Sequence, residues 1–114
     1  CVVGEGGFLM AAGELATVRR LELNIIIILL VDHDLSLIRI KQKKRGLTTG
    51  YGTRVSSDDL FNSSSVFGVK ILSARTEDEF TFALEKASNT TGPVIVKALI
   101  DPGEYEDLLL RGNR

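Results

Sequence analysis

Apolar residues follow helical spacing near the start of the chain and then form one continuous run. From Phe8 to Val18 they recur at three- and four-residue steps, which predicts a helix that ends near Arg20. The run Ile25–Val31 is unbroken and largely β-branched, which is typical of a strand buried on both faces of a parallel sheet. The helix residues predicted to face inward are Phe8, Ala11, Ala12, Leu15 and Val18.

The rest of the chain continues this alternation and predicts an α/β fold with an open, mainly parallel sheet flanked by helices. The helix after Thr76 has capping-box spacing, and we expect it to turn Phe80, Phe82, Ala83 and Ala87 inward. The predicted elements are a helix over Leu35–Arg45, a loop over Leu47–Ser57, a short helix from the N-cap Ser57-Asp58-Asp59 to Phe67, a strand over Val69–Leu72, a helix from Thr76, a strand over Pro93–Ile100 and a terminal helix over Glu104–Arg111.

Composition excludes several classes of protein. The 114 residues suit one small domain, and the net charge of -1 gives no general attraction to nucleic acid or a membrane surface. The single cysteine, Cys1, rules out an intrachain disulfide and a cysteine-rich metal site. We therefore expect a reducing compartment, the cytoplasm or an organelle.

Acidic residues follow the first two predicted strands. Glu5 lies in the glycine-rich turn Gly4–Gly7, and Asp32 and Asp34 follow the Ile25–Val31 strand. Ligands of open α/β sheets gather beyond the carboxyl ends of the strands, and carboxylate oxygens suit Mg²⁺. A phosphate can bind where a helix follows a glycine turn, with the cation between it and the carboxylates. The alternative is a pair of acidic turns that bind nothing.

The same residues resemble the thiamine-diphosphate motif, which is a Gly-Asp-Gly turn followed, after one helix and one strand, by an Asn-rich turn. The resemblance runs through Gly4–Met10, Gly13–Thr17 and Val31–Gln42, and continues at Phe67-Gly68 and Ile100–Tyr105. The chain is similar to the C-terminal cofactor-binding domain of the acetolactate synthase and 2-oxo-acid decarboxylase family. The resemblance implies a thiamine-diphosphate-binding fold, with thiamine diphosphate and Mg²⁺ as cofactors.

The resemblance also implies a role for each matched residue. Glu5 stands at the position of the first Mg²⁺ ligand and Asp32 at that of the second, and Asp34 matches a residue that offers its backbone carbonyl. No residue of this chain takes a catalytic role, because the glutamate that activates the cofactor belongs to a separate pyrimidine-binding domain. The residues matched to diphosphate contacts are Gly4, Gly6, Gly7, Leu35, Ser36 and Leu37.

Three departures from the family pattern suggest weakened cofactor binding. Glu5 replaces Asp, Val31 replaces the first Asn of the second turn, and Asp34 adds negative charge where a diphosphate should bind. Mg²⁺ tolerates poor geometry badly, so we expect cofactor affinity below that of typical members. An α/β domain that has lost its cofactor, and a flavodoxin-like phosphate binder, are the alternatives.

The chain begins inside an apparent core strand, so we expect residues 1–114 to be a single domain truncated from a longer polypeptide. The resemblance implies that the complete enzyme takes a 2-oxo acid as substrate, as a lyase or transferase. It also implies a homo-oligomer, a missing pyrimidine-binding domain and no activity of this fragment alone. His33, the one histidine, is expected to be an exposed turn residue.

Overall fold

The computed structural model describes residues 1–55, 62–105 and 107. They form an alternating series of strands and helices, as the hydrophobic pattern predicts. The elements are β1 (Val2–Gly4), α1 (Glu5–Ala11), a 3₁₀ turn (Ala12–Glu14), α2 (Leu15–Arg20), β2 (Ile26–Val31), α3 (Ser36–Lys44), β3 (Ser65–Val66), β4 (Val69–Ala74), α4 (Glu77–Ser88), β5 (Val94–Leu99) and a 3₁₀ turn (Pro102–Glu104).

The five strands form one sheet in the order β1-β2-β5-β4-β3. The pairs β1–β2, β2–β5 and β4–β5 are parallel, and only the short β3 runs antiparallel, against β4. The predicted open, mainly parallel α/β sheet is therefore confirmed. Gly4 pairs with Leu30, so β1 and β2 end at the same edge of the sheet.

The two faces of the sheet are covered unequally. One face carries the main core, in which Phe8 and Leu15 of α1 and α2 pack on Leu29 and Ile95. On the other face, Ala83 and Ala87 of α4 pack on Val94 and Val96. Along β2, alternate residues are buried on the first face and only half-buried on the second. The expectation of full burial on both faces is wrong for β2, because α4 packs over β4 and β5 instead.

The predicted helix ending at Phe67 is wrong at its C-terminal end. Ser65–Val66 is a strand, and Phe67 and Gly68 form a two-residue hairpin turn with φ of 47° and 75°. Two positive φ values match the right-handed twist of a hairpin, which a glycine at the second position favours. The predicted N-cap Ser57-Asp58-Asp59 lies outside the described residues.

Several predicted inward positions are exposed instead. Phe82 and Ala11 lie on the solvent side of their helices. β1 is an edge strand with Val2 exposed, and Cys1 is exposed as well, so the view of this segment as a core strand is wrong. An edge strand has a neighbour on one side only, which leaves half of its surface uncovered.

The capping box predicted at the start of α4 is confirmed. The Thr76 hydroxyl accepts a hydrogen bond from the Glu79 N–H at 3.2 Å, and the Glu79 carboxylate accepts one from the Arg75 N–H at 2.7 Å. After β5, Asp101 caps the 3₁₀ turn, and Tyr105 continues in helical conformation. The remainder of the predicted terminal helix lies largely outside the described residues. None of the helices in the described part of the chain is both long and apolar enough to cross a bilayer.

Candidate functional site: an acidic crevice between two strand ends

The first acidic position lies at a direct junction between strand and helix. β1 ends at Gly4 and α1 begins at Glu5, so the expected glycine turn is replaced by an immediate change of direction. Gly6 and Gly7 belong to the first turn of α1. A Cβ on Gly6 would lie 2.8 Å from Cδ2 of Leu35, so the missing side chain lets the second acidic turn approach α1 closely.

The second acidic turn follows β2 and is held by its own side chains. Asp32 accepts a hydrogen bond from the Asp34 N–H at 3.2 Å and another from the Ser36 hydroxyl at 2.5 Å. His33 between them adopts the left-handed conformation, with φ of 61°. It is half-buried, which corrects the expectation of an exposed turn residue.

Asp34 points its carboxylate at structural partners. Arg39 donates from Nε to Oδ2 of Asp34 at 2.6 Å, and the buried Thr53 hydroxyl lies beside the same carboxylate. Burial alone would raise the pKa of Asp34, but Thr53 and Arg39 outweigh it and hold the pKa below its ordinary value. Oδ2 of this carboxylate is therefore held by a positive charge, while Oδ1, like the Glu5 oxygens, has no well-formed hydrogen bond within the described part of the chain.

The structure brings all the predicted site residues to one crevice of about 440 Å³. Parallel pairing of β1 and β2 places both acidic turns at the same edge of the sheet. The sequence analysis gave no site role to four other residues that line the crevice: Leu30, Ile38, Ile100 and Tyr105. The Asp101-Pro102-Gly103 break was the available signal for Ile100 and Tyr105, because it marks a third strand ending at this edge. The predicted residues in the lining are Gly4, Glu5, Gly6, Gly7, Asp32, Asp34, Leu35, Ser36 and Leu37.

Glu5 is the unusual group of the crevice. Its side chain is only 3 % exposed, and neither carboxylate oxygen has a well-formed hydrogen bond within the described part of the chain. Burial raises the pKa of Glu5 to about 7, and the negative charge and side chain of nearby Asp32 raise it further. The backbone N–H groups of Asp34 and His33 oppose the increase without cancelling it. Glu5 is thus a buried carboxyl whose charged form is stabilised too weakly by its neighbours.

Tyr105 closes one side of the crevice. Burial raises the pKa of its phenol, and the negative charges of Asp32 and Glu5 raise it further. The phenol is therefore neutral and available as a hydrogen-bond donor at physiological pH.

The donor set fits an anion held through a divalent cation. Two carboxylates, Glu5 and Asp32, line the same crevice and are close enough for the charge of Asp32 to raise the pKa of Glu5. Carboxylate oxygens, with the backbone carbonyl of Asp34 in the second turn, are the hard oxygen ligands that Mg²⁺ prefers. Among the described residues, no three His, Cys, Asp or Glu side chains are grouped so as to hold a metal. Any cation would therefore need backbone, water or ligand oxygens as well.

The start of α3 adds a place for the anion. Its N-cap, Leu35, makes no side-chain hydrogen bond to the first turn, and the helix has nine residues. Uncapped N–H groups at such an end attract phosphate oxygens. The described lining contains neither Lys nor Arg. An anion in the crevice would therefore depend on a cation to offset the carboxylates.

Comparison with known proteins identifies relatives. A family model described as "Thiamine pyrophosphate enzyme, C-terminal TPP binding domain" matches residues 1–98. The large subunit of acetolactate synthase isozyme 2 from Escherichia coli K12 is 30% identical over 105 residues, which are 89% of this chain and 19% of that protein. A probable acetolactate synthase large subunit from Methanococcus aeolicus is 26% identical over 118 residues, covering 100% of this chain and 19% of the relative.

A solved structure shares the fold. The thiamine diphosphate-dependent 4-hydroxybenzoylformate decarboxylase of Rhodococcus jostii RHA1 superposes with a TM-score of 0.77 at 19% identity, covering 89% of this chain and 20% of that one. The chain thus spans about a fifth of the length of these relatives.

Proposed function

The chain belongs to the family of thiamine pyrophosphate (thiamine diphosphate) enzymes, as a C-terminal TPP-binding domain, and we propose that it supplies the half-site for Mg²⁺ and the diphosphate. Thiamine diphosphate and Mg²⁺ are the cofactors of this family, as the resemblance implied. The single observation that carries the proposal is the buried carboxylate of Glu5, which has no well-formed hydrogen bond within the described residues and lies in a crevice lined by every residue to which the resemblance gave a cofactor or metal role.

Each residue has a defined part in holding the cofactor. Glu5 and Asp32 would bind the cation through carboxylate oxygens, and Asp34 through its backbone carbonyl. Gly4, Gly6 and Gly7, with Leu35, Ser36 and Leu37, would contact the diphosphate. Bound thiamine diphosphate supplies the carbon nucleophile that attacks carbonyl compounds. The residues of this chain would bind and orient that cofactor, and Glu5 would hold the cation in its ionised form, with its proton released to solvent.

The complete protein, in this proposal, is a lyase or transferase that acts on a 2-oxo acid. Residues 1–114 are then one domain of a longer polypeptide, and the pyrimidine-binding domain lies elsewhere. The fragment alone is inactive, and the complete enzyme is a homo-oligomer in a reducing compartment such as the cytoplasm. The chain's coverage of about a fifth of its acetolactate synthase relatives supports the view of a partial unit.

The test is calorimetric titration of the full-length protein with thiamine diphosphate, with and without Mg²⁺. We expect binding only with Mg²⁺, and a loss of at least about 100-fold in affinity for Glu5→Gln, because even groups that merely orient metal ligands are worth 10–100-fold. Glu85→Gln, an exposed carboxylate on α4, is the matched control and should bind normally. Binding that is equal with and without Mg²⁺ would contradict the proposal and favour a simple phosphate binder.

The second candidate is an α/β domain that has lost its cofactor. The uncompensated charge of Glu5 and Asp32 favours it, because the described lining offers no basic side chain. Val31 bears on this alternative less than the sequence suggested, since its side chain is fully buried in the main core rather than facing the crevice. A Glu5→Asp variant that binds the Mg²⁺–cofactor pair more tightly than the parent would show that Glu5 weakens binding. Absence of binding by both would favour the second candidate.

A further inference from the structure

We propose that Arg39 is a positioning residue, which sets the affinity of the crevice for a divalent cation without touching the cation. The inference rests on the proposed function of the crevice. It concerns the turn Asp32–Leu35, in which one cation ligand is a side chain and another is a backbone carbonyl. A ligand of the second kind can be aimed only by fixing the backbone itself.

The turn needs external support because its conformation is unfavourable. His33 has a φ of 61°, a region that residues with a Cβ rarely adopt. The Asx-type bond from the Asp34 N–H to Asp32 and the bond from the Ser36 hydroxyl fix the Asp32 side chain. Neither bond holds the carbonyl of Asp34 directly. That carbonyl shares a planar peptide with the Leu35 N–H, so its direction depends on what holds this peptide and residue 34.

Arg39 holds residue 34 from the helix side. Its Nε lies 2.6 Å from Oδ2 of Asp34, and the two side chains are only 35% and 22% exposed. The pair joins the turn to helix α3. The carboxylate of Asp34 consequently ties the turn to the helix, and in the proposed site the carbonyl of the same residue binds the cation.

The segment Thr53–Val55 holds the same turn from the opposite side. The Leu35 N–H donates to the Thr53 carbonyl at 2.8 Å, and the Val55 N–H donates to the His33 carbonyl at 3.2 Å. Asp34 and Arg54 form an isolated antiparallel bridge between these bonds. Thr53 is only 2% exposed, with its hydroxyl beside the Asp34 carboxylate. The turn is therefore clamped between this segment and Arg39.

Charge and positioning predict opposite results for the same substitution. Arg39→Met removes a positive charge near the crevice, so a purely electrostatic role predicts tighter cation binding. A positioning role predicts weaker binding, because the released turn must be ordered again when the cation binds. The direction of the change therefore separates the two roles.

The experiment measures the apparent Kd for Mg²⁺ on the full-length protein by calorimetry, at saturating thiamine diphosphate. We expect Arg39→Met to weaken Mg²⁺ binding about tenfold, the usual effect of losing a group that orients a metal ligand. Arg39→Lys, which keeps the charge and can still reach Asp34, should recover most of that loss. Lys41→Met removes an exposed positive charge from the same helix and should leave the Kd within about twofold, since screened surface charges act weakly.

A second route tests the opposite side of the clamp. Thr53→Val keeps the shape of the buried side chain and removes its hydroxyl, and we expect it to weaken Mg²⁺ binding by a smaller factor. This variant decides the question if Arg39→Met does not fold. In a double-mutant cycle, the losses caused by Asp34→Asn and by Arg39→Met should be less than additive, because both substitutions remove the same ion pair.

The outcomes separate this inference from the function on which it rests. Failure of the parent protein to bind Mg²⁺ with thiamine diphosphate would overturn both. Normal binding by the parent, with an unchanged or lower Kd in Arg39→Met and Thr53→Val, would overturn only the positioning role. A loss in Arg39→Met that is equalled by Lys41→Met would also overturn it, because the loss would then not depend on the contact between Arg39 and Asp34.

Discussion

The two acidic turns of the crevice lie side by side and yet differ in how their carboxylates are supported. At the β1–α1 junction, Glu5 is buried without a well-formed hydrogen bond to any described group, and its pKa is raised to about 7. At the β2–α3 turn, Asp34 has an ion pair with Arg39, and its pKa is lowered. The fold therefore disfavours the ionised form of Glu5, whereas the ionised form of Asp34 stabilises the fold.

This difference suggests separate roles: Glu5 can bind a ligand with its carboxylate, whereas Asp34 uses its carboxylate to hold the turn. A buried carboxylate without a partner costs free energy in the folded state, and a bound cation would relieve that cost. A paired carboxylate has already used its charge within the protein. The three neighbouring acids Glu5, Asp32 and Asp34 are therefore not three equivalent ligands. This agrees with the absence of a three-carboxylate metal cluster among the described residues.

The largest expected difference between the two turns lies in how Glu5 and Asp34 make the free energy of unfolding depend on pH. The pKa of Glu5 in the folded state is about 7, above its ordinary value of 4.5. Below pH 4.5 Glu5 is protonated in both the folded and the unfolded state and costs no stability, and the free energy of unfolding falls as the pH rises from 4.5 towards 7. The shift corresponds to about 3 kcal/mol at pH 8. Glu5→Gln should therefore gain stability relative to the parent across this window. Urea unfolding at several pH values without divalent cations measures the difference.

The relevant quantity in this experiment is the difference in stability between variant and parent and how it changes between pH 4.5 and 7, since the buried amide of Glu5→Gln adds a pH-independent offset. For Glu85→Gln, on the exposed side of α4, we expect a difference from the parent that does not change over this range. Parallel curves for the parent and Glu5→Gln would mean that Glu5 ionises normally, and the contrast between the two turns would disappear.

A smaller effect of opposite sign is expected at the second turn. The pKa of Asp34 is lowered, so its stabilisation is present above the ordinary value of 3.8 and is lost as the pH falls below it. Asp34→Asn should cost about 1 kcal/mol at pH 7, typical of a hydrogen-bonded ion pair at a partly exposed site. In denaturant unfolding, the free energy of unfolding of Asp34→Asn should lie below that of the parent by the same amount at pH 7 and pH 5, and by a smaller amount at pH 3. A loss that grows towards low pH would contradict the assignment of Asp34 as a structural anion.

The smallest expected effect concerns the contact between Gly6 and Leu35, which joins the two turns. Gly6→Ala places a Cβ 2.8 Å from Cδ2 of Leu35, and the end of that flexible side chain must move. We expect a net loss of about 0.5 to 1 kcal/mol, because the clash outweighs the better helix propensity of alanine. Gly13→Ala is the matched control, since its Cβ would meet nothing within 4 Å. Thermal unfolding of both variants compares them, and equal melting temperatures would show that the turns do not press on each other here.

Much of the fold and of the candidate site could be predicted from local patterns. The unbroken Ile25–Val31 run marked β2, and the capping-box spacing at Thr76 marked the start of α4. The residues matched to the motif were named correctly as neighbours, because parallel strands end at one edge of a sheet. Their roles as ligands remain predictions. The hairpin at Phe67-Gly68 was missed, since its usual signal is Asn or Asp before the glycine.

The amino-acid sequence by itself determined the order of strands and helices, the family and the acidic character of the crevice, because these follow from local spacing and residue type. Only the tertiary structure decided which carboxylate is charged and paired. That outcome depends on burial and on distant partners, such as Thr53 beside Asp34 and the packing that encloses Glu5. A local pattern cannot encode the dielectric surroundings of a side chain, since those are created by residues far apart in the chain.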